Sequence, residues 1–325
     1  MLFIIPNAQA AGDCTVVPRA SSVINARDTG ARGDGLTDDT AAIQLAIDRA
    51  AGTGGTVLVP DGTYMVNALV SISLKSDMTL RLSDGAILKA MPNAETNYSI
   101  IKIEKVSNAN LVGGTLQGER YEHLGKLGEW GMGVYVNAAS DISIAQITAK
   151  DAWGDGFYIR GASKNITFCA VKADNNRRQG MSIISVDGLL VKDSIFSNTN
   201  GTAPQAGLDI EPNENDTVNN VKILNSRFLD NRGIGVQIYR GPDSKSLIKN
   251  VFVSGNTITG NKSGGLWIAN SNHNQVIGNT VQGNLRFGIQ FAKGTMGNQA
   301  MANILANGDT LIDQGENILL EGQRR

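Results

Sequence analysis

The chain is short of the residues that most often announce a chemistry. It has two cysteines, Cys14 and Cys169, too few for a disulfide framework and without metal-ligand spacing. Cys169 falls in an apolar stretch and reads as a small buried hydrophobe. Histidine is limited to His123 and His273, and aromatic residues to 5% of 325 positions. Neither sign of charge dominates. With 29 Lys and Arg against 30 Asp and Glu the net charge is −1, so no basic face for nucleic acid is implied. No apolar run is long enough to cross a bilayer, and no Pro/Ser-rich linker divides the chain.

Glycine, by contrast, is abundant at 38 residues, and seven of them are spaced with purpose. Gly133, Gly156, Gly180, Gly207, Gly235, Gly265 and Gly288 each precede an apolar, variable, apolar triplet, at intervals of 23, 24, 27, 28, 30 and 23 residues by subtraction. Such a period with tolerated insertions belongs to a stacked repeat, in which each unit needs a neighbour to cover its apolar face. Val134-Tyr135-Val136, Leu208-Asp209-Ile210 and Leu266-Trp267-Ile268 alternate with period two, as strands do. A second alternating run precedes each glycine, as at Ile142/Ile144, Ile166/Phe168 and Val221/Ile223. Between the runs stand Asp151, Asn175, Asn198, Asn231, Asn261 and Asn284, residues that tolerate left-handed turns. Two or three short strands per repeat with no intervening helix predict an all-β parallel β-helix.

The expected layout is one β-helix domain over 11–325, with an N-terminal cap at about 24–64 and coils at about 65–310. Ile43, Ile47 and Ala50 mark one face of a short capping helix over 41–51, and Asp34, Asp38 and Asp39 read as turn and cap residues rather than as metal ligands. Residues 1–10 end in Ala8-Gln9-Ala10, a small-x-small cleavage pattern, and predict a signal-peptide remnant of a secreted or periplasmic protein.

Asp28 to Tyr64, with its GDG, TDDT, AIQ, GGTV, VP and GTY elements, resembles the N-terminus of the pectate lyase superfamily. Leu74 to Leu80 followed by Asp84-Gly85-Ala86 is similar to the polygalacturonase branch in particular. The resemblance implies a right-handed parallel β-helix and a polysaccharide as partner. In the polygalacturonase pattern, catalytic carboxyl groups sit in Asn-Thr-Asp-Gly and Asp-Asp motifs, followed by Gly-His-Gly. Here Asp155-Gly156 matches part of the first, Arg178-Gln179 stands in place of the pair, and no histidine follows. The alginate-epimerase pattern, Asp-Pro-His followed by an acidic residue, is echoed by Asp209-Ile210-Glu211-Pro212 without the histidine.

Stacking the triplets in register places Tyr135, Tyr158, Ser182, Asp209, Gln237, Trp267 and Gln290 in one outward row. Two residues on, a second row carries Asn137, Arg160, Ile184, Glu211 and Tyr239. Coils ~4.8 Å apart make Asp209 and Glu211 neighbours of these side chains on one face. Insertions at 198–205, 212–219 and 240–247 border the middle coils and predict the walls of a groove, with 117–129 closing one end. The expected catalytic groups are Glu211 as general acid and Asp209 or Asp155 as base or nucleophile. Arg178, Arg160 and Arg232 are expected to hold substrate carboxylates and Trp267 or Tyr239 to stack a sugar ring, with Arg177, Arg240, Tyr158 and Gln237 as further substrate-binding residues.

These groups suit hydrolysis of an acidic, uronate-containing polysaccharide by paired carboxyls. Uronate β-elimination or C5-epimerisation, through a base and guanidinium groups, is the alternative. A non-catalytic glycan-binding or tailspike-like protein is the reading from another class. No cofactor is expected; Glu214 and Asp216 are the pair on which a calcium ion is conceivable.

Overall fold

A computed structural model describes Cys14 and residues 22–320; the expected signal remnant lies outside the described residues. The strands stack into three parallel sheets of 12, 11 and 10 strands, each coil contributing one strand to each sheet. Sheet 1 carries the Ile142, Ile166, Leu189, Val221, Val251 ladder expected from the second alternating run. Sheet 2 holds short strands such as Thr148–Lys150 and Ile195–Ser197. Sheet 3 is built from the glycine-led triplets.

The reason for the glycine period lies in the distance between coils. A Cβ on Gly207 would stand 2.7 Å from the carbonyl oxygen of Gly235, and one on Gly180 only 2.3 Å from that of Gly207. Neither contact is compatible with a side chain, so the backbone at this corner admits only glycine. Immediately after it, Leu208 and Ile210 point inward and are wholly buried. The same alternation turns Asp209 outward, away from the apolar core. Inside, Phe196 and Phe228 stack at 5.2 Å between ring centroids on consecutive coils.

The expected turn ladder is displaced by one residue in the later coils. Asp151, Asn175 and Asn198 do adopt left-handed backbone, but there the role passes to Asp230 and Gly260. Asn231, Asn261 and Asn284 lie one step inward and are buried. Asn231 Nδ2 donates to Asn261 Oδ1 at 2.9 Å, and Asn261 Nδ2 repeats the bond to Asn284. Each buried amide is thus satisfied by its equivalent one coil on.

At the N-terminus a helix spans Thr40–Ala50 and buries Ile43, Ile47 and Ala50 on the first coils, as its pattern predicts. The acidic cluster is spent on turns. Asp34 accepts from the N–H groups of Leu36 and Thr37, which lower its pKa to about 2. Asp38 accepts from Thr40 N–H, and Asp39 from the N–H groups of Arg32 and Gly33. One expectation is corrected outright: Cys169 is buried but not free. It is bonded to Cys14 with Cα atoms 5.5 Å apart across 155 residues of sequence, a proximity that only the coiled chain creates. No helix among the described residues is long and apolar enough to cross a membrane.

Candidate active site

Sheet 3 forms the floor of the candidate site. The outward row pairs residue by residue as Tyr135, Tyr158, Ser182, Asp209, Gln237, Trp267 and Gln290. Its longer connections emerge on both flanks. Those at 118–129 and 199–207 enter sheet 3 from sheet 2, whereas 211–216 and 240–246 leave it for sheet 1. Arg120 ties the first flank together, donating to the carbonyls of Asn175 and Asn200 at 2.7 and 2.6 Å. Lys245 N–H to Glu214 Oε2, 3.1 Å, links the two connections of the other. The longer connections are thus tied internally on both flanks of the middle coils.

Asp209 occupies the centre of this floor, yet it is only 1% exposed. The turn before Gly180 folds over the row here, Arg178 reaching Ser182 and Gln179 reaching Asp209. Gln179 is fixed by accepting Ala206 N–H at Oε1, 2.8 Å, which leaves its Nε2 to donate to Asp209 Oδ2 at 2.6 Å. Asp209 Oδ1 is buried without a hydrogen-bond partner. Burial, followed by the charge of neighbouring Glu211, drives the Asp209 pKa well above the ordinary carboxylate range, with Arg178 opposing. Glu211 is half-buried just beyond the same strand, where its N–H donates to Ile183 O and Pro212 follows. The two carboxyls thus stand two residues apart, Asp209 covered by the preceding turn and Glu211 half-buried.

Asp155 is placed differently from the expectation of a base or nucleophile in contact with substrate. It is fully buried, accepting from Ser182 Oγ at 2.8 Å and from Arg178 Nη1 at 3.2 Å. With no surface to offer a sugar, it serves to anchor Arg178. Burial raises its pKa to about 6 despite that guanidinium. Arg178 also donates through Nε to Glu129 Oε2 at 2.9 Å. Burial works against its charge, but Asp155, Asp209 and Glu129 outweigh it and hold it protonated.

The other predicted guanidinium groups separate into two sets. Arg160 is exposed beside Tyr135 and Tyr158, whose rings stack at 5.9 Å. Burial raises the Tyr158 hydroxyl to about 12, with Arg160 opposing. Arg177 and Arg240 are not free to meet a carboxylate. Arg177 lies 3.7 Å over the Trp153 ring and donates to Gly128 O; Arg240 donates to Asn270 O and Ser244 O, bracing the connection that follows it. Arg232 is exposed on the turn, its backbone N–H joined to Thr199 O. Tyr239 lies one coil beyond Asp209 and Trp267 two; their rings stack at 5.4 Å, both part-exposed, further along the floor. Gln237 pairs directly with Asp209 in register.

Sequence reasoning did not single out Gln179 or Glu129. Gln179 had a signal, since it holds the same place before its glycine as Asp155. Glu129 had none, because its reach to Arg178 depends on the path of the 118–129 connection. Glu214 is engaged with Lys245, and the one group of three potential metal ligands among the described residues is Cys14, Cys169 and Asp193, whose sulfurs form the disulfide.

Comparison with known proteins places this geometry in a family. The model for rhamnogalacturonase A/epimerase, pectate lyase-like proteins matches residues 23–241, and that for the right-handed β-helix region matches 205–322, which gives the solenoid its expected hand. Among curated relatives, the Bacillus subtilis protein YclG is 29% identical over 68% of this chain and 44% of its own. Mannuronan C5-epimerase AlgE4 of Azotobacter vinelandii is 35% identical over 54% of this chain and 33% of its own. The chain thus spans less than half the length of either. The solved A-module of AlgE4 superposes with a TM-score of 0.67 at 19% identity, covering 93% of this chain and 97% of the module. A tailspike from Acinetobacter baumannii bacteriophage Fri1, described as a capsular polysaccharide depolymerase, gives 0.67 at 16% identity, with 93% and 58% covered. With a family model matching more than half of its residues, the chain belongs to the rhamnogalacturonase A/epimerase, pectate lyase-like family.

Proposed function

We propose that this protein is an enzyme of uronate-bearing polysaccharides, with the Asp209/Glu211 pair as its proton-transferring centre. The observation that carries this reading is a buried carboxyl of raised pKa two residues before a half-buried one, on a sheet face flanked by the longer connections. Buried Asp209 holds a proton more tightly than an ordinary carboxylate does, and Glu211 is the member with surface to offer the sugar. Exposed Arg160 supplies positive charge for a substrate carboxylate, and the Tyr239–Trp267 stack supplies an apolar platform for a pyranose ring. The mannuronan C5-epimerases among the relatives support an acidic polysaccharide as substrate.

Hydrolysis is the first reaction assigned to the pair. Alternate residues on one strand are roughly 6.6 Å apart, so Glu211 is the carboxyl that meets the glycosidic bond and buried Asp209 acts through it. Proton abstraction at C5 is the second reading, favoured by one observation: burial of Asp209 and Asp155 leaves Glu211 as the open carboxyl of the three. The Cys14–Cys169 disulfide supports secretion or export to an oxidising compartment.

The test is incubation with polygalacturonate, polymannuronate and a neutral glucan. New saturated reducing ends indicate hydrolysis, unsaturated products indicate elimination, and deuterium uptake at C5 from heavy water indicates epimerisation. Asp209→Asn and Glu211→Gln should each lower the rate by about 10²–10⁴-fold. Full activity in either variant removes the pair from the reaction.

A further inference from the structure

The floor row does not end at Tyr135. It continues in register to Lys102, four coils before Asp209. Two cavities of about 280 and 220 Å³ adjoin there, and Lys102 and Glu104 line both. Lys75 and Lys105 line the first, and Tyr98 and Tyr135 the second.

The charge in this cleft is unbalanced. Glu104 is engaged by Asn137 Nδ2 at 2.7 Å, and Lys75 stands 4.0 Å from Asp48, with both of those side chains half exposed. An exposed pair of that kind contributes little, ~0–1 kcal/mol. Lys102 is half-buried, and neither it nor Lys105 has an ion-pair partner among the described residues. A partly desolvated ammonium on a cavity wall is an unfilled site for an anion.

We infer that this cleft is a distal subsite that binds a sugar carboxylate of the same polysaccharide chain, several units from the reacting bond. The inference rests on the uronate reading of the Asp209/Glu211 centre. At ~4.8 Å per coil the separation is about 19 Å. A 1,4-linked pyranose advances its chain by a length close to one coil rise. A polymer lying along sheet 3 therefore brings successive rings over successive coils, with one end on Lys102 and the other on Trp267. Short oligomers cannot reach both ends, so the subsite selects chain length and anionic charge together.

The experiment is calorimetric titration of the full chain with uronate tetramers and decamers of galacturonate and mannuronate, for the parent protein, Lys102→Gln and Lys102→Arg. Decamers should bind roughly tenfold more weakly to Lys102→Gln, with affinity restored in Lys102→Arg, a difference of about 1.4 kcal/mol. Tetramers should not distinguish the three proteins. Raising the salt concentration should narrow the decamer difference. If uronates bind and react but decamers are indifferent to Lys102→Gln, or tetramers lose as much as decamers, the subsite is overturned while the catalytic reading stands. If the parent protein binds no uronate of either length, both fail.

Discussion

Gln179 Nε2 donates to Asp209 Oδ2 at 2.6 Å, and the direction of that bond is fixed by Ala206 N–H, which occupies the other end of the amide. The glutamine stabilises the ionised form of Asp209 against burial. Gln179→Met should raise the Asp209 pKa further and move the corresponding limb of the pH–rate profile upward. It should also cost about 1–3 kcal/mol of stability, because Ala206 N–H is left buried and unpaired. A folded variant with an unmoved limb would separate Gln179 from the reaction.

Asp155 makes the fold sensitive to pH in an unusual sense. Its pKa is raised from 3.8 to about 6, so the folded protein binds its proton more tightly than the unfolded chain does. Stability from this group is fully present below pH ~3.8 and is lost as the pH rises through about 6, on the order of 3 kcal/mol. Asp209 acts in the same sense. Urea denaturation of Asp155→Asn as a function of pH should show a flatter profile between about pH 4 and 6 than the parent. An identical slope in both proteins would exclude Asp155 as its source.

The Cys14–Cys169 bond ties the N-terminal segment to the end of the strand Ser163–Cys169. Its reduction should lower unfolding free energy by about 2–4 kcal/mol. Cys14→Ser should reproduce the loss and be insensitive to added reductant, which thermal denaturation with and without dithiothreitol would read directly.

Trp267 reaches the groove through its stacked indole and has no titratable group. Trp267→Ala should raise KM for oligosaccharides severalfold, leaving the shape of the pH–rate profile unchanged. A shifted profile would mean that the ring tunes the carboxyl pair rather than holding the sugar.

The glycine period and the period-two triplets were enough to place Asp209 beside Ser182 and Gln237, because in a parallel stack sequence register becomes spatial register. The inward Leu208 and Ile210 were legible for the same reason. Exposure was not. Whether an outward carboxyl meets water depends on what the preceding turn folds over it, and Gln179 and Arg178 cover Asp209 and Asp155 by contacts that no periodicity encodes. Arg177 and Arg240 illustrate the same limit, since their partners are backbone carbonyls of irregular connections. The disulfide was hidden by a sequence separation of 155 between its halves.

The Asn231, Asn261, Asn284 ladder gives neighbouring rungs the same handshake. A rung that greets its neighbours identically above and below can be duplicated or deleted without redesigning the rest. Evolution can therefore lengthen or shorten the strip beneath a glycan one rung at a time, and the reach of the molecule along its polymer becomes a quantity adjustable by whole-repeat duplication.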